Sequence, residues 1–211
     1  MISSSPDLQP PPDRRAQILQ SAMICFAKSG FHQTSMHDIS EQAGISVGLI
    51  YRYFENKEAV ISAMADGHKK EIQEVLKRAR QAPSLLHAME ILFTAHCCDH
   101  APQVEAAFVV DLFAEAARNA KVAALVRDVS QTTLKGVTDL IARSPEAAFG
   151  THGLTPRELA ELIFAMNDGM LMREVLLPTR ASDSRRRERQ LNVARKLWQV
   201  LFGNEAAVVR A

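Results

Sequence analysis

The sequence has little of several features that define whole classes of protein. It holds three cysteines, Cys25, Cys97 and Cys98, an odd number with two adjacent, which argues against a disulfide framework. Nine glycines and nine prolines in 211 residues are too few for a collagen-like or linker-dominated chain. Residues 1–12 lack the basic start and apolar stretch of a signal peptide, and we expect a flexible N-terminal arm there.

A large excess of charge and long apolar runs are missing as well. The formal net charge is +1, and residues 1–60 carry five basic and six acidic side chains, so any binding of nucleic acid must depend on a local motif. No uncharged apolar run approaches the roughly 20 residues that span a bilayer, because Asp111 and Asp168 interrupt the best candidates. With 47% hydrophobic residues, the chain is predicted to be a soluble, cytoplasmic globular protein without membrane contact.

The hydrophobic pattern is helical from Asp13 almost to the C-terminus. Ile18, Ala22 and Phe26 recur at the spacing of one helical face, and no convincing alternating strand stands outside a helical context. This pattern predicts an all-α protein. We expect a three-helix domain over residues 13–56 and a larger helical domain over residues 57–211.

Two short helices joined by a tight turn are predicted within the first domain. Ser35 is expected to cap the first of them and to form a capping box with Asp38. Gly44 ends that helix, and Ser46 caps the next, in which Ile50 faces the core. This spacing is typical of a helix-turn-helix, whose second helix lies in the major groove of DNA.

A dense set of residues in this region resembles the DNA-binding domain of the tetracycline-repressor (TetR) family: Gly30-Phe31, Thr34-Ser35-Met36, Asp38-Ile39, Ala43-Gly44-Ile45-Ser46, Gly48, Tyr51-Arg52-Tyr53-Phe54 and Lys57-Glu58. The resemblance covers about 45 residues, from Arg15 to Val60. It implies a transcriptional regulator and not an enzyme: a repressor that binds a palindromic operator in double-stranded DNA as a homodimer and is released by a small-molecule effector. It implies no cofactor.

The helix-turn-helix geometry predicts which residues contact DNA. Arg52 is the one long cation on the exposed face of the second helix, and it is the candidate for guanine recognition, with a phosphate contact as the alternative. Tyr53 and Lys57 are expected to contact phosphates, and His37 a base edge or a phosphate. The whole predicted set is Ser35, His37, Ser46, Val47, Gly48, Leu49, Tyr51, Arg52, Tyr53 and Lys57.

The resemblance also implies a ligand pocket and a dimer interface in the larger domain. The pocket is predicted to be lined by Phe93, His96, Phe108, Asp111, Leu112, Leu134 and Met170. Apolar residues at helical spacing near the C-terminus would form an exposed patch in a monomer, which favours a partner subunit. The predicted interface contains Leu162, Met166, Gly169, Met170, Arg173, Leu191, Ala194, Leu197, Trp198 and Leu201.

Two constellations leave alternatives open. The run His96-Cys97-Cys98-Asp99-His100 contains potential zinc ligands or redox-sensing thiols, but neighbouring side chains on a helix point in different directions, so no metal site is predicted. Asp111 and Glu115 are a candidate acid–base pair, although the sequence has no nucleophile elbow or phosphate-binding loop. The rivals to a regulator are therefore an enzyme whose helical domain binds substrate, and an interaction adaptor without DNA binding.

Overall fold

The computed structural model describes residues 13–96, 102–145, 153–176 and 184–202. These residues form nine α-helices and contain no β-strand, which confirms the all-α prediction. The predicted arm over residues 1–12 lies outside the described residues. None of the helices in the described ranges is long and apolar enough to cross a membrane.

The helices follow one another through the chain with short connections. In order they are α1 (Arg14–Gln33), α2 (Met36–Gln42), α3 (Val47–Tyr53), α4 (Lys57–Ala79), α5 (Leu85–His96), α6 (Pro102–Ala116), α7 (Ala120–Ala142), α8 (Pro156–Leu176) and α9 (Ser184–Phe202). The predicted helix-turn-helix is formed by α2 and α3.

Side-chain caps fix where several of these helices begin. Ser35 and Asp38 form the predicted capping box at the start of α2, and the Ser46 hydroxyl accepts a hydrogen bond from the Leu49 amide at the start of α3. Thr155 and Glu158 form a second capping box before α8. These contacts satisfy amide groups that have no partner inside the helix, so they define the start of each helix locally.

Two hydrophobic cores lie along the described part of the chain. The first core contains Ile18, Phe26, Ile39 and Ile50 from α1–α3, and it continues into the beginning of α4 through Val60. The second core includes the end of α4 and residues from α5, α7, α8 and α9. The predicted boundary between residues 56 and 57 therefore falls at the start of a helix that both cores share.

α4 and α7 approach each other closely at Gly136. A Cβ atom on this residue would lie 2.2 Å from Cδ1 of Leu76, which is buried in the second core. The absence of a side chain at position 136 is therefore what allows the two helices to pack at this distance.

Candidate functional site

The second helix of the helix-turn-helix has one buried and one exposed side. Ile50 and Phe54 anchor it in the first core. Tyr51 and Tyr53 are 53% and 44% exposed, unusually high values for large aromatic side chains. Arg52 is also exposed, as the sequence predicted.

The recognition face of α3, formed by Val47, Gly48, Leu49, Tyr51 and Arg52, is open to solvent. Gly48 is exposed, and no atom lies within 4 Å of the position that its Cβ would take. Val47 and Leu49 are half-buried. A surface with a missing side chain and flanking aromatic and cationic groups can approach the floor and the walls of a DNA groove.

The start of α2 is arranged by its own side chains. Hydrogen bonds from the Ser35 backbone and hydroxyl lower the pKa of Asp38, so an ionised carboxylate stands at this helix start. His37 is exposed, and its Nε2 lies 3.3 Å from Oε1 of Glu41. The phosphate or base contacts predicted for Ser35 and His37 remain predictions, and these carboxylates are the groups with which a phosphate would compete.

Lys57 does not extend toward the recognition face. Its ammonium donates to the carbonyl of Phe31 at 2.6 Å and to that of His32 at 3.3 Å, and it lies 4.6 Å from the centre of the Phe31 ring. Carbonyl groups in the last turn of a helix lack intrahelical partners and attract a cation. The structure thus gives Lys57 a role in joining α4 to the end of α1, and the phosphate contact stays a prediction.

The end of α1 is also joined to α6. Gly30 has a φ of 78°, a conformation that favours glycine, and the chain kinks there before continuing to Gln33. Beyond the kink, the Phe31 amide donates to Oδ2 of Asp111 at 2.8 Å. We call this contact, together with the pairing of His32 and Glu115 described next, the α1–α6 junction.

Glu115 is the buried member of the α1–α6 junction. The carboxylate is 1% exposed, one oxygen lies 2.8 Å from Nε2 of His32, and the other accepts a hydrogen bond from Asn119 at 3.0 Å. Both oxygens of this carboxylate thus contact other side chains, an arrangement that ties α6 to the end of α1. Asp111 and Glu115 therefore both contact the end of α1, and the structure gives these two acids a packing role that the sequence did not predict.

Three residues predicted to line the ligand pocket lie at this junction. The Phe108 ring stacks on that of Phe26 with centroids 6.2 Å apart, and Leu112 packs against the first core. Asp111 binds the Phe31 amide. These three residues pack toward α1 and do not line the cavity described next, and their assignment to a ligand pocket stays a prediction.

An interior cavity of about 150 Å³ lies further along the same helices. Its walls come from α4–α9 and include the predicted Phe93. Leu134 and Met170, also predicted for the pocket, pack against the second core and do not line this cavity, and the side chain of His96 lies outside the described residues. Asn167 and Trp198 also line this cavity, and neither was predicted to do so.

α9 has one apolar face toward the protein interior and another toward solvent. The predicted dimer interface contains residues from both faces. Ala194 and Trp198 are buried in the second core, and Leu191 and Leu201 pack against it, so these four residues face the interior. The outward face of α9 contains Val193, Leu197 and Val200, of which the sequence analysis named only Leu197. The stripe at i, i+4 and i+7 through these three residues was a signal that could have found them.

The α8 part of the predicted interface divides in the same way. Leu162 is half exposed, and Gly169 and Arg173 are exposed as well. Met166 and Met170 pack against the second core of the protomer. Met172 and Leu176, which the prediction omitted, are large exposed apolar side chains on the same helix.

Among the residues that the structure describes, no group of three or more His, Cys, Asp or Glu side chains is placed to hold a metal ion. Cys97, Cys98 and His100, the centre of the alternative zinc or redox motif, lie outside the described residues.

α2 and α3 are capped helices anchored in a small core, and α3 has an exposed aromatic and cationic face. These features are typical of the class of helix-turn-helix DNA-binding proteins. Residues 18–64 match the model of the tetR family of bacterial regulatory proteins. The match covers the residues that carry the resemblance found in the sequence, and it confirms that resemblance.

Curated relatives and solved structures extend the comparison. The transcriptional regulator UidR of Escherichia coli K12 is 30% identical over 130 residues, or 61% of this chain and 63% of UidR, less than two thirds of that protein's length. TtgR of Pseudomonas putida is 41% identical over 54 residues, 26% of each chain. The fatty acid degradation regulator FadR of Bacillus halodurans has the same fold, with a TM-score of 0.73 over 92% of this chain and 97% of FadR at 19% identity.

Proposed function

We propose that this protein is a ligand-responsive transcriptional repressor of the tetR type. It binds a palindromic operator in double-stranded DNA as a homodimer in the cytoplasm, and a small molecule releases it. The observation that carries the proposal is the recognition face of α3, which holds exposed Tyr51 and Arg52 on a helix whose other side is anchored by Ile50. The relatives UidR and TtgR, both named as helix-turn-helix transcriptional regulators, support it and favour a protein that is not an enzyme.

The exposed residues of α3 suit different parts of a DNA duplex. Arg52 provides the paired donors that recognise the O6 and N7 atoms of guanine, and the hydroxyls of Tyr51 and Tyr53 suit phosphate oxygens. Val47 and Leu49 provide apolar contacts for thymine methyl groups. Since residues 1–60 are not basic overall, close fit and pairing of two subunits must supply much of the affinity.

Dimerisation would set the distance between two copies of α3. Half-sites of a palindrome are read about 34 Å apart, so both helices must fit successive major grooves at the same time. The exposed apolar residues Val193, Leu197 and Val200 of α9, with Leu162 of α8, are our proposed interface. A ligand in the interior cavity lowers operator affinity if it binds more tightly to a conformation with another spacing.

A bound small molecule is known in a protein of this fold. FadR of Bacillus subtilis has been solved in complex with stearoyl-CoA, and it matches this chain with a TM-score of 0.71 at 18% identity. For this chain, we propose that the effector binds in the interior cavity, whose walls come from the six helices α4 to α9.

Selection of bound fragments from genomic DNA tests the proposal, followed by titration of the selected site and of random DNA. Arg52→Ala should weaken operator binding by roughly 1–3 kcal/mol per specific contact and affect random DNA less. Arg78→Ala removes an exposed charge at the far end of α4 and serves as the matched control, with little expected effect on either DNA. A wild-type protein that selects no sequence at any salt concentration would refute the function. If Arg52→Ala weakens binding to the selected site and to random DNA equally, Arg52 contacts a phosphate and not a base.

A further inference from the structure

Two polar atoms buried beside the interior cavity have no hydrogen-bond partner within the described structure. They are Oδ1 of Asn167, an acceptor, and Nε1 of Trp198, a donor. Both residues line the cavity, and Trp198 is 1% exposed. Native proteins rarely leave such groups unsatisfied, because each one costs free energy relative to water. A molecule in the cavity that offers both an acceptor and a donor would satisfy them.

The charges around the cavity restrict what this molecule is. The described lining contains no lysine or arginine, whereas Glu71, Glu105 and Asp168 contribute carboxyl groups. Partial burial raises the pKa of the Asp168 carboxyl group. His68 also lines the cavity, but its Nδ1 lies 3.7 Å from Oε2 of Glu71, so an anionic ligand would compete with that carboxylate for the imidazole and would lose its hydration.

The remaining walls and the volume define the rest of the ligand. Met89, Phe93, Val137 and Ile163 form apolar surface around the cavity. A cavity of about 150 Å³ matches the size of an engineered apolar cavity that holds benzene. In the conformation described, the space therefore suits one ring with a short substituent.

We propose that the cavity binds a small uncharged molecule with one apolar ring and a hydroxyl group, and that it rejects carboxylates. The ligand's oxygen accepts from Nε1 of Trp198, and its hydroxyl group donates to Oδ1 of Asn167. This assignment names the ligand class for the effector site and so rests on the proposed function.

The sequence contains a single tryptophan, so fluorescence from Trp198 reports directly on the cavity. Three probes share one scaffold: 2-phenylethanol is uncharged with a hydroxyl, ethylbenzene lacks the hydroxyl, and phenylacetate is an anion. We expect 2-phenylethanol to bind and phenylacetate to bind at least roughly tenfold more weakly, because its carboxylate must give up hydration in a cavity lined by three acidic residues.

The variant Asn167→Leu isolates the acceptor while it nearly preserves side-chain volume. It should weaken 2-phenylethanol roughly tenfold and leave ethylbenzene unchanged or bound more tightly, since only the alcohol loses a hydrogen bond. Asn192→Leu, at an exposed asparagine of α9, is the matched control and should change neither titration. The comparison of probes on the wild-type protein needs no variant and stays decisive if Asn167→Leu fails to fold.

Three results would overturn the assignment: tighter binding of phenylacetate than of the alcohol, no binding of either uncharged probe, or equal weakening of both by Asn167→Leu. These titrations contain no DNA. A failed selection of genomic fragments would therefore refute the proposed function without affecting the probe titrations. Absence of probe binding would refute the ligand assignment without affecting operator binding.

Discussion

Removal of the Asp111 carboxylate should loosen the α1–α6 junction. The carboxylate accepts the Phe31 amide at 2.8 Å, and Phe31 is 5% exposed, so in Asp111→Ala this amide loses its recorded partner in a site with little access to water. A hydrogen bond to a charged group contributes about 1.5–3 kcal/mol, and we take about 2 kcal/mol as the loss in the free energy of unfolding. In a chain of this size, 1 kcal/mol shifts the melting temperature by roughly 2–4 °C, which gives a decrease of about 4–8 °C.

Thermal unfolding followed by circular dichroism measures this decrease, and hydrogen exchange locates it. Hydrogen exchange should accelerate at the end of α1 in Asp111→Ala. The melting temperature of Asp111→Asn should lie between those of Asp111→Ala and the wild type, because asparagine keeps an acceptor oxygen. Asp128→Ala is the matched control: it breaks a more exposed ion pair with Lys69 between α4 and α7, and should have much less effect. Equal decreases in Asp111→Ala and Asp128→Ala, or unchanged exchange around Phe31, would refute the reasoning.

Three further changes probe the interface, the packing and the pH dependence. Leu197→Glu places a charge on the exposed face of α9 and should convert a dimer into a monomer by light scattering; a variant that stays dimeric would move the interface elsewhere. Gly136→Ala should lower the free energy of unfolding by about 1–3 kcal/mol through overpacking of α4 against α7, whereas Gly67→Ala, with open space around it, should raise it in urea titrations. A hydrogen bond from Arg195 lowers the pKa of Glu90, so the carboxylate stabilises the fold above its ordinary pKa and this contribution disappears as the pH falls through the lowered value. Glu90→Gln should therefore melt earlier than the wild type at pH 7, and the difference should vanish in acid; a constant difference would contradict the assignment.

The helix-turn-helix could be predicted because its signals are local. The capping box joins Ser35 to Asp38, three residues apart, and Ser46 caps its helix through Leu49 at the same spacing. Ile50 shows which side of α3 is buried through the same short-range periodicity. Each of these features depends on neighbours within a few residues along the chain, and the structure confirms them.

The α1–α6 junction could not be predicted in this way. Asp111 and its partner Phe31 are 80 residues apart, and an acid in an apolar helix carries no signal that names a distant amide. Lys57 was assigned to DNA because it follows α3, but its partner carbonyls lie 25 and 26 residues earlier. Leu197 and Trp198 are neighbours on opposite faces of α9, and periodicity alone does not tell which face meets the protomer's own core.

The two hydrogen bonds of Phe31 have a mechanical consequence. α6 holds its N–H through Asp111 and α4 holds its carbonyl through Lys57, so one residue of the DNA-binding domain is anchored to two helices at once. Residues of the same two helices, Ile72 of α4 and Val109 of α6, line the interior cavity. A ligand that separates these two helices would therefore either break one of the two hydrogen bonds or move the end of α1. The position of the DNA-binding domain would thus depend on the separation of α4 and α6, through the two hydrogen bonds of Phe31.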